Sequence, residues 1–133
     1  MNKILVAYDG GEPGRRALAL AAKLAHAFGS RVDVVSVVPE GFGRVEGAVE
    51  EPAIVHAREL VEARALLRDQ GVDAGLIEPA GDPARTIERL ASDGAYDTVI
   101  VGGSRGLADG RPWSDTVMAH VAANATATVI VAH

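Results

Sequence analysis

The sequence contains no cysteine, which excludes disulfide bonds, thiolate metal sites and a cysteine nucleophile. It also lacks a positive surplus, since 13 Lys and Arg face 18 Asp and Glu for a net charge of −5. Such a chain is not expected to neutralise the phosphates of nucleic acid. No apolar run approaches the length of a membrane span, and the run that follows Met1 is too short for a secretory signal. These absences predict a cytoplasmic protein without membrane contact.

Strict catalytic and nucleotide-binding signatures are missing as well. A GxGxxG fingerprint is absent, and no lysine follows Lys23, so a P-loop NTPase is excluded. The segment Gly103–Gly106 does not match the GxSxG elbow of hydrolases. The histidines show no spacing, to one another or to carboxylates, that predicts a metal site; they are His26, His56, His120 and His133. No catalytic constellation is therefore predicted. If the protein has any enzymatic activity, we expect at most slow ATP hydrolysis.

The pattern along the chain predicts an α/β domain. With 133 residues, 48% hydrophobic and 23% charged, the chain has the size and composition of one globular domain, 1–133. Short β-branched runs alternate with longer helical segments, which is typical of βαβ units. The predicted strands are Lys3–Tyr8, Arg31–Val38, Asp73–Ile77, Thr98–Gly102 and Thr128–Val131. The predicted helices are Pro13–Phe28, Pro52–Asp69, Pro83–Asp93 and Trp113–Asn124.

The apolar character of the strands predicts their order. The first and fourth strands are the most apolar, which favours central positions and the order 3-2-1-4-5. The result is a doubly wound, five-stranded parallel sheet with helices on both faces, a Rossmann-like fold. Ligands bind such sheets where the winding reverses, at the carboxyl ends of strands 1 and 4. The two loops expected there, Asp9–Gly14 and Gly103–Asp115, are both rich in glycine.

The residues of these loops suit a phosphate-bearing ligand. Gly103-Ser104-Arg105-Gly106 supplies backbone N–H groups that can form an anion-binding nest, and Thr116 adds a hydroxyl near a helix start. Arg105 or Arg111 can pair with a phosphate oxygen. Asp9 can accept hydrogen bonds from ribose hydroxyls or an adenine amino group. The alternative is that the glycines serve only the turn and that Asp9 is a turn or cap residue.

The last strand indicates a protein partner. In the predicted order it lies at the edge of the sheet, and Val129, Ile130 and Val131 carry neither a charge nor a proline to protect that edge. We therefore expect a homodimer through this strand. The alternative is that a helix or a loop covers it.

Four segments of the chain resemble the universal stress protein family, in the same order and spacing: KILVAYDGGEPGRRAL, GDPARTI, YDTVIVGGSRG and the closing TVIV. The resemblance covers essentially the whole chain. It implies a five-stranded α/β fold, frequently dimeric through the last strand, and a cytoplasmic role in stress survival. Some members bind ATP and others do not. The ATP binders carry a glycine, two residues, a glycine, nine residues, then a glycine followed by Ser or Thr.

Several positions match the residues that bind nucleotide in the family. Gly103 and Gly106 match the first two glycines, with Ser104 and Arg105 between them. Thr116, followed by Val117, matches the hydroxyl residue. Asp9 matches the acidic residue that faces the adenosine. Either Val37 or Val38 matches the second-strand valine whose backbone meets the adenine.

The second half of the glycine motif differs. Asp115 replaces the glycine before Thr116, and only eight residues separate it from Gly106. A carboxylate there stabilises a helix N-terminus but repels a triphosphate unless a metal ion or Arg111 intervenes.

Two hypotheses remain open from the sequence. The first is a nucleotide-binding regulatory protein of the stress response, with ATP or AMP as its ligand, with or without Mg²⁺. The second is a dimeric adaptor that binds no nucleotide and acts through protein partners. The retained glycines favour the first hypothesis, whereas Asp115 favours the second.

Overall fold

The computed structural model describes residues 1–38, 52–102 and 113–132, without the side chains of residues 52 and 113–118. Strands and helices alternate along these segments, as the sequence predicts. Turn chemistry sets several boundaries: α1 ends at Gly29 with a left-handed φ of 65°, and Asp82 caps α3 by accepting the Arg85 N–H at 3.0 Å. The elements are β1 (Lys3–Ala7), α1 (Glu12–Phe28), β2 (Arg31–Val35), α2 (Pro52–Asp69), β3 (Gly75–Ile77), α3 (Pro83–Asp93), β4 (Thr98–Gly102), α4 (Trp113–Asn124) and β5 (Thr128–Ala132).

The sheet is parallel throughout, and its order β3-β2-β1-β4-β5 confirms the predicted doubly wound topology. Leu5 of β1 lies between Asp33 of β2 and Val99 of β4, which fixes the register of the three inner strands. None of the described helices combines the length and the apolar character that a membrane-spanning helix needs.

Each face of the sheet carries its own core. Ile4 and Val6 of β1 point to one face and Leu5 to the other, because side chains alternate along a strand. The helices α1 and α2 cover the first face through mainly small and aliphatic residues, and α3 and α4 cover the second. The first core includes Ala17, Leu18, Ala21, Leu60, Ala63 and Leu67. The second core includes Ala84, Ile87, Ala91 and Val121.

Strand boundaries differ from those predicted at the carboxyl end of the sheet. β1 ends at Ala7 and not at Tyr8, and β2 ends at Val35 and not at Val38. The chain beyond β2 stays extended, because Val38 forms an isolated parallel bridge with Ala80. The pairing on the β3 side therefore continues past the point where β1 has ended.

Candidate functional site

The winding of the sheet reverses between β1 and β4, so their carboxyl ends lie at the point where the sequence predicts a ligand-binding crevice, and we call this region the crevice. At the end of β4, Gly102 lies directly against the first turn of α1. A Cβ at Gly102 would come within 2.7 Å of the Pro13 carbonyl carbon and 2.8 Å of the Gly14 nitrogen. Only glycine allows so close an approach, and this contact closes one wall of the crevice.

Asp9 follows β1 and shapes the turn that leads into α1. Its Oδ1 accepts the Gly11 N–H at 3.0 Å, and Gly10 between them has a φ of +83°. The turn role that the sequence left open for Asp9 is thus present, and it uses one of the two carboxylate oxygens. A Cβ at Gly14 would lie 3.1 Å from the same Oδ1, so the turn packs tightly on α1.

The segment after β2 forms the opposite wall of the crevice. The Ser36 N–H donates to the Ile77 carbonyl oxygen at 3.1 Å, and the Val38 N–H donates to that of Pro79 at 2.8 Å. The Val38 carbonyl accepts the Gly81 N–H at 2.9 Å. Both backbone groups of Val38 are therefore used on the β3 side.

Val37 differs from Val38 in this respect. Alternate residues of a parallel strand direct their backbone groups to opposite neighbours, and the Val35 carbonyl accepts the Tyr8 N–H on the β1 side. The N–H and C=O of Val37 consequently face the region where β1 has ended. No partner for either group lies among residues 1–38, 52–102 and 113–132. Of the two valines predicted to meet a base, Val37 is therefore the one whose N–H and C=O are both unpaired within the described part of the chain.

A polar cluster on the first turns of α2 supports both walls. The His56 Nδ1 lies 2.6 Å from the hydroxyl of Ser36, whose exposed fraction is 1%. Glu59 Oε2 lies 3.4 Å from His56 Nδ1 and 3.5 Å from Ser36 Oγ. A Cβ at Gly10 would lie 3.2 Å from the Glu59 carboxyl carbon. We call Ser36, His56 and Glu59 the α2 cluster.

Sequence reasoning missed this cluster. The histidine spacings predicted no metal site, but His56 and Glu59 lie three residues apart on α2 and meet there. That spacing was a readable signal. The contact with Ser36 was not, since 20 residues separate Ser36 from His56.

A second link between α1, α2 and β1 lies beside the cluster. The Tyr8 hydroxyl donates to Glu62 Oε1 at 3.0 Å, and Arg15 approaches the same oxygen at 3.2 Å. Burial raises the pKa of Tyr8 to about 12, and the neighbouring Glu62 carboxylate adds to the shift. Tyr8 is consequently neutral over the physiological pH range.

A protein-family model with the description "Universal stress protein family" matches the whole chain, residues 1–133. The chain belongs to the universal stress protein family. No curated protein sequence matches it significantly.

Solved structures of family members share the fold. A universal stress protein from Archaeoglobus fulgidus is 23% identical, with a TM-score of 0.80, over 100% of this chain and 94% of that one. A structure of the universal stress protein from Archaeoglobus fulgidus in complex with dAMP has 23% identity and a TM-score of 0.78, over 100% and 98% of the two chains. A family protein from Arabidopsis thaliana with AMP bound has 18% identity and a TM-score of 0.75, over 99% and 91%.

The family's glycine motif falls largely outside the described part of this chain. Gly103, Ser104, Arg105 and Gly106 lie outside the described residues. The backbone of α4 begins at Trp113, so Asp115, Thr116 and Val117 occupy its first turns as predicted, but their side chains are outside the description. The roles of these residues stay predictions.

The last strand of this universal stress protein lies at the edge of the sheet, paired with β4. The side chains from Val129 to Ala132 are half-buried. The homodimer predicted through Val129, Ile130 and Val131 stays a prediction.

The other described histidines make isolated contacts. His120 on α4 lies 2.5 Å from Glu88 on α3, and His26 lies 2.5 Å from the Gln70 carbonyl oxygen. Within the described ranges, no three His, Asp or Glu side chains are grouped so that they could hold a metal ion.

Proposed function

We propose that this universal stress protein is a nucleotide-binding regulatory protein of the stress response that acts in the cytoplasm. The observation that carries the proposal is the backbone of Val37, whose N–H and C=O have no partner among the described residues and lie beyond the last β1 pairing at the reversal point of the sheet. An N–H donor and a C=O acceptor on one residue suit the adjacent acceptor and donor of an adenine edge. The family members solved with AMP and dAMP support this choice of ligand class.

The remaining residues of the crevice are assigned to the sugar and the phosphates. The second carboxylate oxygen of Asp9, which has no partner among the described residues, suits a ribose hydroxyl, because Oδ1 is used by Gly11. Gly103, Gly106 and Thr116 are assigned to the phosphates, with Ser104 and Arg105 between the glycines. The sequence predicts no catalytic constellation around this set, so we propose that the ligand acts as a regulatory signal.

The charge of Asp115 favours AMP over ATP. It lies in the first turn of α4, directly before Thr116. A carboxylate at this position repels each further phosphate charge, so a triphosphate loses more affinity than a monophosphate. A magnesium ion between the carboxylate and the phosphates reduces that loss.

Calorimetric titration of AMP and ATP, each with and without Mg²⁺, tests the proposal. We expect the wild type to bind AMP more tightly than ATP, and Asp115→Gly to narrow the difference about 5-fold. Asp115→Asn is the matched control, because it removes the charge and keeps the Cβ. If the wild type binds neither nucleotide at millimolar concentration, the proposal fails and the adaptor hypothesis replaces it.

We further propose that the protein is a homodimer through β5. The support is the position of this strand at the sheet edge, with half-buried valine and isoleucine side chains. Sedimentation of the wild type and of Val131→Lys tests the proposal, with circular dichroism as the control for folding. We expect the wild type to sediment as a dimer and Val131→Lys as a monomer. A monomeric wild type would refute the proposed dimer.

A further inference from the structure

The α2 cluster carries an inference that rests on the proposed function and assigns a role to His56. Its three side chains lie at the carboxyl ends of β1 and β2, next to both walls of the crevice. None of them matches a residue of the family's nucleotide motif. The cluster is nevertheless mostly buried, with exposed side-chain fractions of 20% for His56 and 19% for Glu59.

The distances suit one arrangement of the hydrogen bonds, in which the histidine tautomer is assigned from its partners. Glu59 is an acceptor, so the hydroxyl of Ser36 can donate to Oε2, at 3.5 Å. The hydroxyl then accepts, at 2.6 Å, from the Nδ1 of His56. The imidazole proton is assigned to Nδ1, because the Glu59 carboxylate lies 3.4 Å from Nδ1 and 3.5 Å from Ser36 Oγ and can only accept. With this tautomer, His56 donates to Ser36 through Nδ1.

The cluster holds Ser36 on two sides. The Ser36 N–H is bonded to Ile77 of β3, and the side chain is bonded to α2. Val37 is the next residue, so fixing the backbone of Ser36 also fixes the direction of the Val37 N–H and restricts that of its C=O. A backbone held in the bound orientation loses less entropy when a ligand binds.

The same cluster holds the other wall. The Glu59 carboxyl group packs against Gly10, whose left-handed backbone lies next to Asp9. One turn of α2 therefore supports both the residue assigned to the base and the turn of the residue assigned to the ribose.

We propose that His56 is a positioning residue for the nucleoside. Its Nδ1–H acts through Ser36 to fix the open backbone groups of Val37 and does not touch the ligand. Two substitutions separate this role from direct contact. An asparagine amide places a donor where Nδ1 was, whereas a glutamine amide places one where Nε2 was.

The experiment compares His56→Asn with His56→Gln in calorimetric titrations of adenosine and of AMP. We expect His56→Asn to stay within about 2-fold of the wild type and His56→Gln to lose about 10-fold in affinity, the loss of one well-placed hydrogen bond. The loss should be equal for adenosine and AMP, because it concerns the nucleoside. Ser36→Ala should lose a similar factor and add nothing when combined with His56→Gln.

A stability control separates positioning from loss of folding. Tyr96→Phe weakens a buried contact at the opposite end of the sheet, so it should lower the melting temperature and leave both affinities unchanged. Equal losses in both His56 variants, a loss in His56→Asn alone, or a loss that also follows Tyr96→Phe would overturn the inference. A wild type that binds neither adenosine nor AMP would remove the proposed function, and the inference with it. Unchanged affinity in all variants would remove only the inference.

Discussion

The two ends of the sheet differ in whether their buried polar groups have hydrogen-bond partners among the described residues. At the amino end, the buried carboxylate of Asp33 accepts the Tyr96 hydroxyl at 2.6 Å, and Asp97 accepts the N–H groups of Asn2 and Lys3 at 2.6 and 3.2 Å. At the carboxyl end, the N–H and C=O of Val37 have no partner among the described residues. Buried polar groups normally have hydrogen-bond partners, so the N–H and C=O of Val37 mark the end of the sheet at which a ligand is expected. The paired groups of the amino end stabilise the fold, whereas the carboxyl end is where the proposed ligand would bind.

The amino end also depends on close packing around Asp33. A Cβ at Gly75 would lie 2.2 Å from Asp33 Oδ1, so the buried carboxylate would have to move to admit it. The Tyr96 ring is in turn covered by the Lys3 ammonium, 4.5 Å from its centroid, and the ammonium donates to the Gly94 carbonyl at 2.6 Å. Each member of this network limits the movement of the next.

The largest effect is expected from Gly75→Ala. The added methyl displaces the Asp33 carboxylate from the Tyr96 hydroxyl, so we expect a loss of about 3 kcal/mol in the free energy of unfolding. Urea denaturation measures it. Gly29→Ala is the control, because nothing lies near its Cβ position and only its φ of +65° opposes the change, at about 1 kcal/mol. Equal losses in the two variants would contradict the packing argument.

Next in size is Tyr96→Phe, which removes the donor to a carboxylate that is only 5% exposed. We expect a loss of about 2 kcal/mol, because a buried acceptor is left without its donor. Tyr8→Phe is the matched control at the other end, where the side chain of the partner Glu62 is 41% exposed. It should cost about 0.5 kcal/mol. The comparison of the two ends fails if Tyr8→Phe costs as much.

At the carboxyl end, Asp9→Asn tests binding and not stability. The asparagine oxygen can still accept the Gly11 N–H, but its amide replaces the acceptor assigned to the ribose. We expect about a 10-fold loss of AMP affinity with little change in unfolding. Asp82→Ala is the opposite case: loss of the α3 cap should lower stability by about 1 kcal/mol and leave AMP affinity unchanged.

The smallest effect is the acid dependence of the amino end. The backbone N–H of Asn2 is the main cause that holds the pKa of Asp97 below its ordinary value of 3.8, with help from Thr98 and Lys3. Because the pKa of Asp97 is lower in the folded than in the unfolded state, its carboxylate stabilises the folded protein at pH values above the unfolded-state pKa. This stabilisation is lost as the pH falls through the folded-state pKa. Asp97→Asn should therefore differ most from the wild type near neutral pH, and the difference should shrink in acid. Unfolding at pH 7 and pH 3 measures this; a difference that grows in acid would contradict it.

The sequence carried most of the fold and only half of the candidate site. Apolar strands 1 and 4 indicated the sheet order, since strands buried on both faces must be central. Asp9 and the crevice followed from that order. The sequence could not decide whether Val37 or Val38 is the valine expected to contact a base. That depends on which neighbouring strand each backbone group faces after β1 has ended. The contacts of Ser36 with His56 and of Asp33 with Tyr96 also join residues distant in the sequence.

The anchoring of the first residues has a practical consequence. Asn2 and Lys3 are bonded to Asp97, and the Met1 carbonyl accepts the Ser30 hydroxyl at 2.5 Å, so the start of the chain is held at the amino end of the sheet. A five-residue strand spans about 16 Å, which separates this point from the crevice. A fluorophore or surface tether attached at Met1 therefore lies at the end of the sheet away from the crevice. Binding can be measured on immobilised protein without masking the groups that it is meant to report.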